Sequence, residues 1–207
     1  MPSCIIFGGG VTRTFLDNDH DTTSDSSHTF TGLNFGTESS GRVLIACVQT
    51  NATSISGVTI GGVTADEFAN LAGGAAIFGA FVPTGTSGSV VISATGTGTR
   101  WGVQLYQLDG MSTLAASDTD TSTAGDPTDT ISVPAGGVAI GCALEIAGDS
   151  TTCTWSGVTG DATDTDALTV YSSGSIEIPA GDAALVITAN FNLTPSTSRG
   201  AFASFGP

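Results

Sequence analysis

Three short motifs in this chain return at one fixed spacing. Val43-Leu44-Ile45-Ala46-Cys47 comes back as Val138-Ala139-Ile140-Gly141-Cys142, 95 positions later (142 − 47). Gly62-Val63-Thr64-Ala65-Asp66 comes back as Gly157-Val158-Thr159-Gly160-Asp161 at the same interval (157 − 62). Val90-Val91-Ile92-Ser93-Ala94 does so as Leu185-Val186-Ile187-Thr188-Ala189 (185 − 90). Pro83-Thr84-Gly85 matches Pro179-Ala180-Gly181 with one inserted residue. A spacing held through three motifs speaks of architecture, a single unit used twice, and names no reaction.

The unit is β-rich. Apolar runs and alternations between Gly, Pro and Asx residues mark strands. In the first half they lie near Cys4–Phe7, Thr12–Leu16, Thr29–Leu33, Val43–Gln49, Val58–Ile60, Ala75–Val82, Ser89–Ala94 and Gly102–Leu108. In the second they lie near Asp129–Val133, Val138–Ile146, Thr152–Trp155, Leu168–Ser172, Ala184–Ala189 and Ala201–Phe205. No stretch holds a helical period, and Asp66–Leu71 could form one short helical turn. With 29 Gly, 32 Thr and 23 Ser the chain suits many short strands and turns. The expected fold is an all-β, jelly-roll-like, two-sheet antiparallel sandwich with an internal duplication. The expected parts are an N-terminal arm and loop (1–27), a first β-repeat (28–111), a connecting loop (112–127) and a second β-repeat (128–207). Half-chains this short make marginal cores, which favours one merged sandwich. Asp17–Ser27 and Ser112–Pro127 are polar and unpatterned and read as exposed loops.

Charge narrows the partners. Against 19 acidic residues stand four Arg and no Lys, a net charge of −15. Binding a phosphate backbone needs clustered cations, so nucleic acid is excluded as a partner, and an anionic membrane repels this chain too. No apolar run approaches the roughly 20 residues of a membrane span. The N-terminus lacks the basic and apolar regions of a secretory signal.

Candidate sites are few. Asp17, Asp19 and Asp21 alternate as carboxylates do in calcium loops, but Thr22 and His28 stand where an EF-hand needs Gly and Glu. They are weak metal candidates beside the ordinary reading of a solvated acidic loop. Asp118 with Asp120, and Asp161 with Asp164 and Asp166, are similar short clusters. Of four cysteines, Cys47 and Cys142 are equivalent in the repeat and read as buried free thiols, with a disulfide between their strands the alternative. Cys4 and Cys153 are the candidates for a disulfide between subunits. Arg100 and Arg199 occupy equivalent strand entries, and each reads either as a partner of nearby carboxylates or as an anchor of a subunit contact. Glu145 and Glu177 would be the acid and nucleophile of a sandwich glycosidase. Trp101 or Trp155, if exposed, would serve a carbohydrate-binding module; the aromatic runs otherwise read as core. His20 and His28 have no nucleophile elbow to serve. No phosphate loop, zinc spacing or other cofactor motif is present.

Three segments carry a resemblance. Gly57-Val58-Thr59-Ile60-Gly61-Gly62-Val63-Thr64-Ala65, Ala80-Phe81-Val82-Pro83-Thr84-Gly85-Thr86-Ser87-Gly88-Ser89-Val90-Val91-Ile92 and Tyr106-Gln107-Leu108-Asp109-Gly110-Met111 resemble β-sandwich structural proteins of tailed bacteriophages. The likeness runs from Phe30 to Phe205. It implies a virion component such as a head decoration, a neck or collar piece, or a tail appendage, located on the particle and made in the bacterial cytoplasm. It brings no catalytic residues. The function expected is non-enzymatic: a homo-oligomer, such as a trimer, that contacts itself and other virion proteins, with a carbohydrate- or receptor-binding module as the alternative and a glycosidase as the third reading.

Overall fold

The computed structural model describes residues 9–123, 125–146, 151–166, 168–193 and 197–207. The strand expected at Cys4–Phe7 lies outside them. The described chain is all-β and antiparallel. Its first half holds β1 (Thr12–Asp21), β2 (Asp25–Asn34), β3 (Val43–Thr50), β4 (Ser54–Ile60), β5 (Val63–Thr64), β6 (Asp66–Asn70), β7 (Ala75–Phe81), β8 (Ser87–Gly98) and β9 (Trp101–Asp109). Its second half holds β10 (Asp118–Ser122), β11 (Thr128–Val133), β12 (Gly137–Ile146), β13 (Cys153–Ser156), β14 (Thr159–Asp166), β15 (Thr169–Ile178), β16 (Asp182–Phe191) and β17 (Thr197–Phe205).

The sheets group by half. In the first, a sheet ordered β1-β9-β3-β7-β6 faces one ordered β2-β8-β4-β5, which is jelly-roll connectivity with β6 added at one edge. In the second, β10-β17-β12-β15-β14 faces β11-β16-β13. Strand for strand the two five-stranded sheets have the same order. Apolar alternation explains which face each strand buries: Leu44, Ala46 and Val48 of β3 enter the core inside the first half, while Val43, Ile45 and Cys47 enter another core. That second core also takes Val138, Ile140 and Cys142 of β12 with Ala201, Ala203 and Phe205 of β17. The five-stranded sheets are therefore stacked on one another, and the molecule is four layers deep. Each half keeps a core between its own two sheets and the halves share the middle one, so the arrangement has both a separate and a merged part.

Three expectations fail locally. Asp17–Asp21 is strand, not loop, because β1 pairs along its length with β9, from Thr12↔Asp109 to Asp21↔Trp101, leaving only a tight turn before β2. Asp66–Leu71 is not a helical turn: Asp66–Asn70 is β6, paired with β7 at the sheet edge. The loop expected at Ser112–Pro127 contains β10, paired from Asp118↔Ser204 to Ser122↔Gly200. All three are Asp- or Asn-bearing segments whose weak strand propensity yields to backbone pairing offered by a neighbour.

Candidate functional site

Functional side chains gather where the two halves meet. The edge strand β14 presents Asp161, Asp164 and Asp166 to the first half. Asp161 accepts from Arg13 Nη1 at 3.3 Å, from the Tyr106 hydroxyl at 3.0 Å and from the Ser175 hydroxyl. Asp164 accepts from Asn18 Nδ2 at 2.5 Å and lies 4.0 Å from His20 Nδ1. Asp166 pairs with Arg100 Nε at 3.3 Å and accepts from the Tyr171 hydroxyl at 2.9 Å. Arg100 Nε also donates to Thr169 Oγ1 at 3.0 Å. Burial, more than the neighbouring carboxylates, pushes the Tyr106 and Tyr171 hydroxyls above the usual tyrosine range, so both stay protonated donors.

This contact repeats itself. Arg100 grips the turn between β14 and β15; Arg199 lies against Gly74, in the turn between β6 and β7, where a side chain would collide with it. Tyr106 of β9 reaches β14 and β15, and Phe205 of β17 packs edge-on against Phe68 of β6 at 5.2 Å. Cys47 and Cys142 lie in the same core between the halves. Strands at the same place in the two sheet orders thus touch in both directions, although the contacting side chains are not in the same register: Arg199 stands opposite Leu144 where Gly102 stands opposite Gln49. Both arginines singled out by the repeat are engaged at this internal contact.

The other candidates stand apart. Asp17 accepts the backbone N–H groups of Asn18 and Asn34, Asp19 that of His20, and Asp21 that of Thr23. Hydrogen bonds from Thr23 hold the Asp21 carboxyl below its usual value. Among the described residues no three His, Cys, Asp or Glu side chains are grouped so as to hold a metal ion. Cys4 lies outside the described residues. Cys153 is a buried free thiol whose pKa burial pushes up to about 12. Glu145 is fully buried, while Glu177 is exposed. They pair with Val170 and Val138 at opposite ends of the β12–β15 ladder. Seven residues of strand separate them, about 23 Å at ~3.3 Å per residue, beyond the spacing of a glycosidase pair.

The two indoles are placed differently, Trp101 fully buried and Trp155 half-buried. Trp101 Nε1 donates to the Thr23 carbonyl at 3.0 Å. The Trp155 ring fills a hollow over Gly141, Gly174 and Gly160, which stand side by side across β12, β15 and β14. His28 stacks on Trp101 and packs on Phe30. A surface groove of about 440 Å³ lies between Gly10–Thr12 and the turns Ala135–Gly137 and Glu177–Pro179. The Glu177 carboxylate in it already accepts the Arg13 backbone N–H at 2.8 Å.

Sequence reasoning missed Arg42. It is fully buried and faces no carboxylate; Nε donates to the Val82 carbonyl at 2.6 Å, Nη1 to Phe35 at 2.9 Å, and Nη2 to Thr84 and Gly85 at 2.8 Å each. Its place directly before the β3 apolar run was the available signal.

The outermost faces have a different chemistry. Across the middle of the four-stranded sheet, Thr29, Val91, Thr59 and Thr64 stand in one row. On the opposite side of the molecule Thr128, Thr188 and Ser156 form another, beside Thr130 and Val186. These rows carry no ionisable side chain, although the chain carries −15 overall. No helix among the described residues is long and apolar enough to cross a membrane. Compared with protein-family models, curated proteins and solved structures, the chain matches none of them.

Proposed function

We propose that this protein is a non-enzymatic structural component of a tailed-phage particle, a head decoration, neck or tail piece that works as a homo-oligomer and through contacts with other virion proteins. The observation that carries the reading is the pair of uncharged rows, rich in Thr and Ser, across the middles of the outer sheets of a chain of net charge −15. Copies of so acidic a protein repel one another except where a face is free of charge. Sheet faces with short side chains can then approach without desolvating an ion. The resemblance agrees with it: its segments fall on the β4–β5 hairpin, on the β7–β8 connection and at the end of β9. The partners are proteins, since the charge balance disfavours nucleic acid and anionic lipid.

The test is assembly. Sedimentation of the purified chain should give a species heavier than one copy, and mass spectrometry of particles should find the protein in them. A chain that stays monomeric and is absent from particles overturns the proposal. Replacing Val91 or Val186 by Asp plants a charge in the middle of an outer face and should weaken association without unfolding the chain, since Val186 is 55% exposed.

A further inference from the structure

We propose that Cys47 and Cys142 form an oxidative cross-linking site that joins the two halves through a disulfide at the centre of their shared core.

The two residues sit on β3 and β12, the middle strands of the stacked five-stranded sheets. Both are fully buried in the core shared by the halves. The Cys142 thiol lies 3.6 Å from the carbonyl of Ala76, which pairs with Val48, the residue after Cys47, and the two thiols are close enough to raise the Cys47 pKa further. The β3 and β12 backbones come within 8 Å of one another, nearer than the ~10 Å usual for stacked sheets. Small side chains permit it, since Ala75, Ala201 and Ala203 line the same core. A disulfide needs Cβ atoms directed at each other across such a short gap. Two thiols alone fall short of the four-ligand set of a structural zinc site, so oxidation is the chemistry that suits the pair.

The oxidant is a low-molecular-weight disulfide. One cysteine loses its proton and attacks that disulfide, forming a mixed disulfide and expelling one small thiolate. The second cysteine loses its proton and attacks the protein sulfur, forming the Cys47–Cys142 bond and expelling the other small thiolate. The protein gives up two electrons and two protons, and the small disulfide leaves as two thiols. Burial keeps the Cys47 thiol protonated, so the reaction waits on opening of the contact between the halves.

The experiment uses the full chain with oxidised glutathione, with and without urea below the unfolding transition. Cleavage before aspartate puts the four cysteines on separate peptides, so non-reducing mass spectrometry reads each pairing. The expected result is a linked Cys47–Cys142 peptide lighter by two hydrogens, formed faster when urea loosens the contact. The free-thiol titre should fall by two per chain, and the unfolding midpoint should rise, reversibly with reductant and not in Cys47→Ala. Glutathione adducts that persist on Cys47 or Cys142 would overturn the proposal, showing that the sulfurs meet the reagent but not each other. So would two unreacted thiols in the loosened chain, or linkage of either cysteine to Cys4 or Cys153.

Discussion

Arg42 shows how one residue can organise a corner of a β-sandwich without an ion pair. Its guanidinium satisfies carbonyls from the β2–β3 connection and from the segment after β7, of which those of Phe35 and Val82 are buried. Removing it orphans both buried acceptors at once. Arg42→Met should destabilise the chain by about 2–5 kcal/mol in urea unfolding, roughly 1–3 for each of the two buried carbonyls left without a donor. Arg42→Lys should recover only part of this, since a point cation cannot fork to four carbonyls. Asp129 is the opposite case. Burial, with Asp120 and Asp118 beside it, raises its carboxyl above the usual 3.8. A carboxyl raised in the fold stabilises when protonated and loses that contribution as pH climbs through its folded pKa. Asp129→Asn should therefore be more stable than wild type at neutral pH and equal to it well below 3.8, in paired urea melts. Asp129 is only partly buried, so solvent screening should keep the gain under about 1 kcal/mol.

At the scale of elements, the row of glycines across β12, β15 and β14 makes the seat of Trp155. A Cβ on Gly141 would stand 2.8 Å from the indole, and one on Gly174 2.8 Å from the Thr159 carbonyl. The ring is held by Nε1 donating to the Ser172 hydroxyl at 2.9 Å. Gly141→Ala should cost about 1–3 kcal/mol, the range for overpacking, and should shift the tryptophan fluorescence as the ring is displaced. The long apolar strands β3, β7, β9 and β12 were legible because burial on both faces writes itself as an unbroken apolar run. β6, β10 and β14 were not. Their Asp and Thr residues have turn-like propensities, and only an adjacent strand that needs a partner makes them β. The glycine seat was equally hidden, because its three members come from three strands and meet only in register.

For the whole molecule, the contact between the halves decides how the acidic charge is carried. Two of the four arginines, Arg13 and Arg100, are spent on β14 carboxylates inside the chain. A double-mutant cycle on Arg100 and Asp166, both partly buried, should give a coupling of about 1 kcal/mol that weakens with salt. Asp161→Ala should cost roughly 1–3 kcal/mol, because Tyr106 and Ser175 lose an acceptor in a buried place. The repeat had pointed at Arg100 and Arg199 as a pair with one role. In the ladders Arg199 stands opposite Leu144, the place Gly102 holds opposite Gln49, so the two arginines are not in register; Arg100 pairs with Asp166 and Arg199 packs on Gly74.

The sequence alone determined the β class, and it set Cys47 and Cys142 at the same point of a motif that recurs. Each follows from local pattern, and local pattern survives without a third dimension. Charge balance likewise bounds the partners whatever the fold. Only the tertiary structure decided that Cys47 and Cys142 share one core, that Asp161 and Asp166 of β14 face inward to arginine, and that the central rows of the outer sheets are left uncharged. Those outcomes depend on which sheet stacks on which, and that is set by the summed burial of faces drawn from strands distant in the chain.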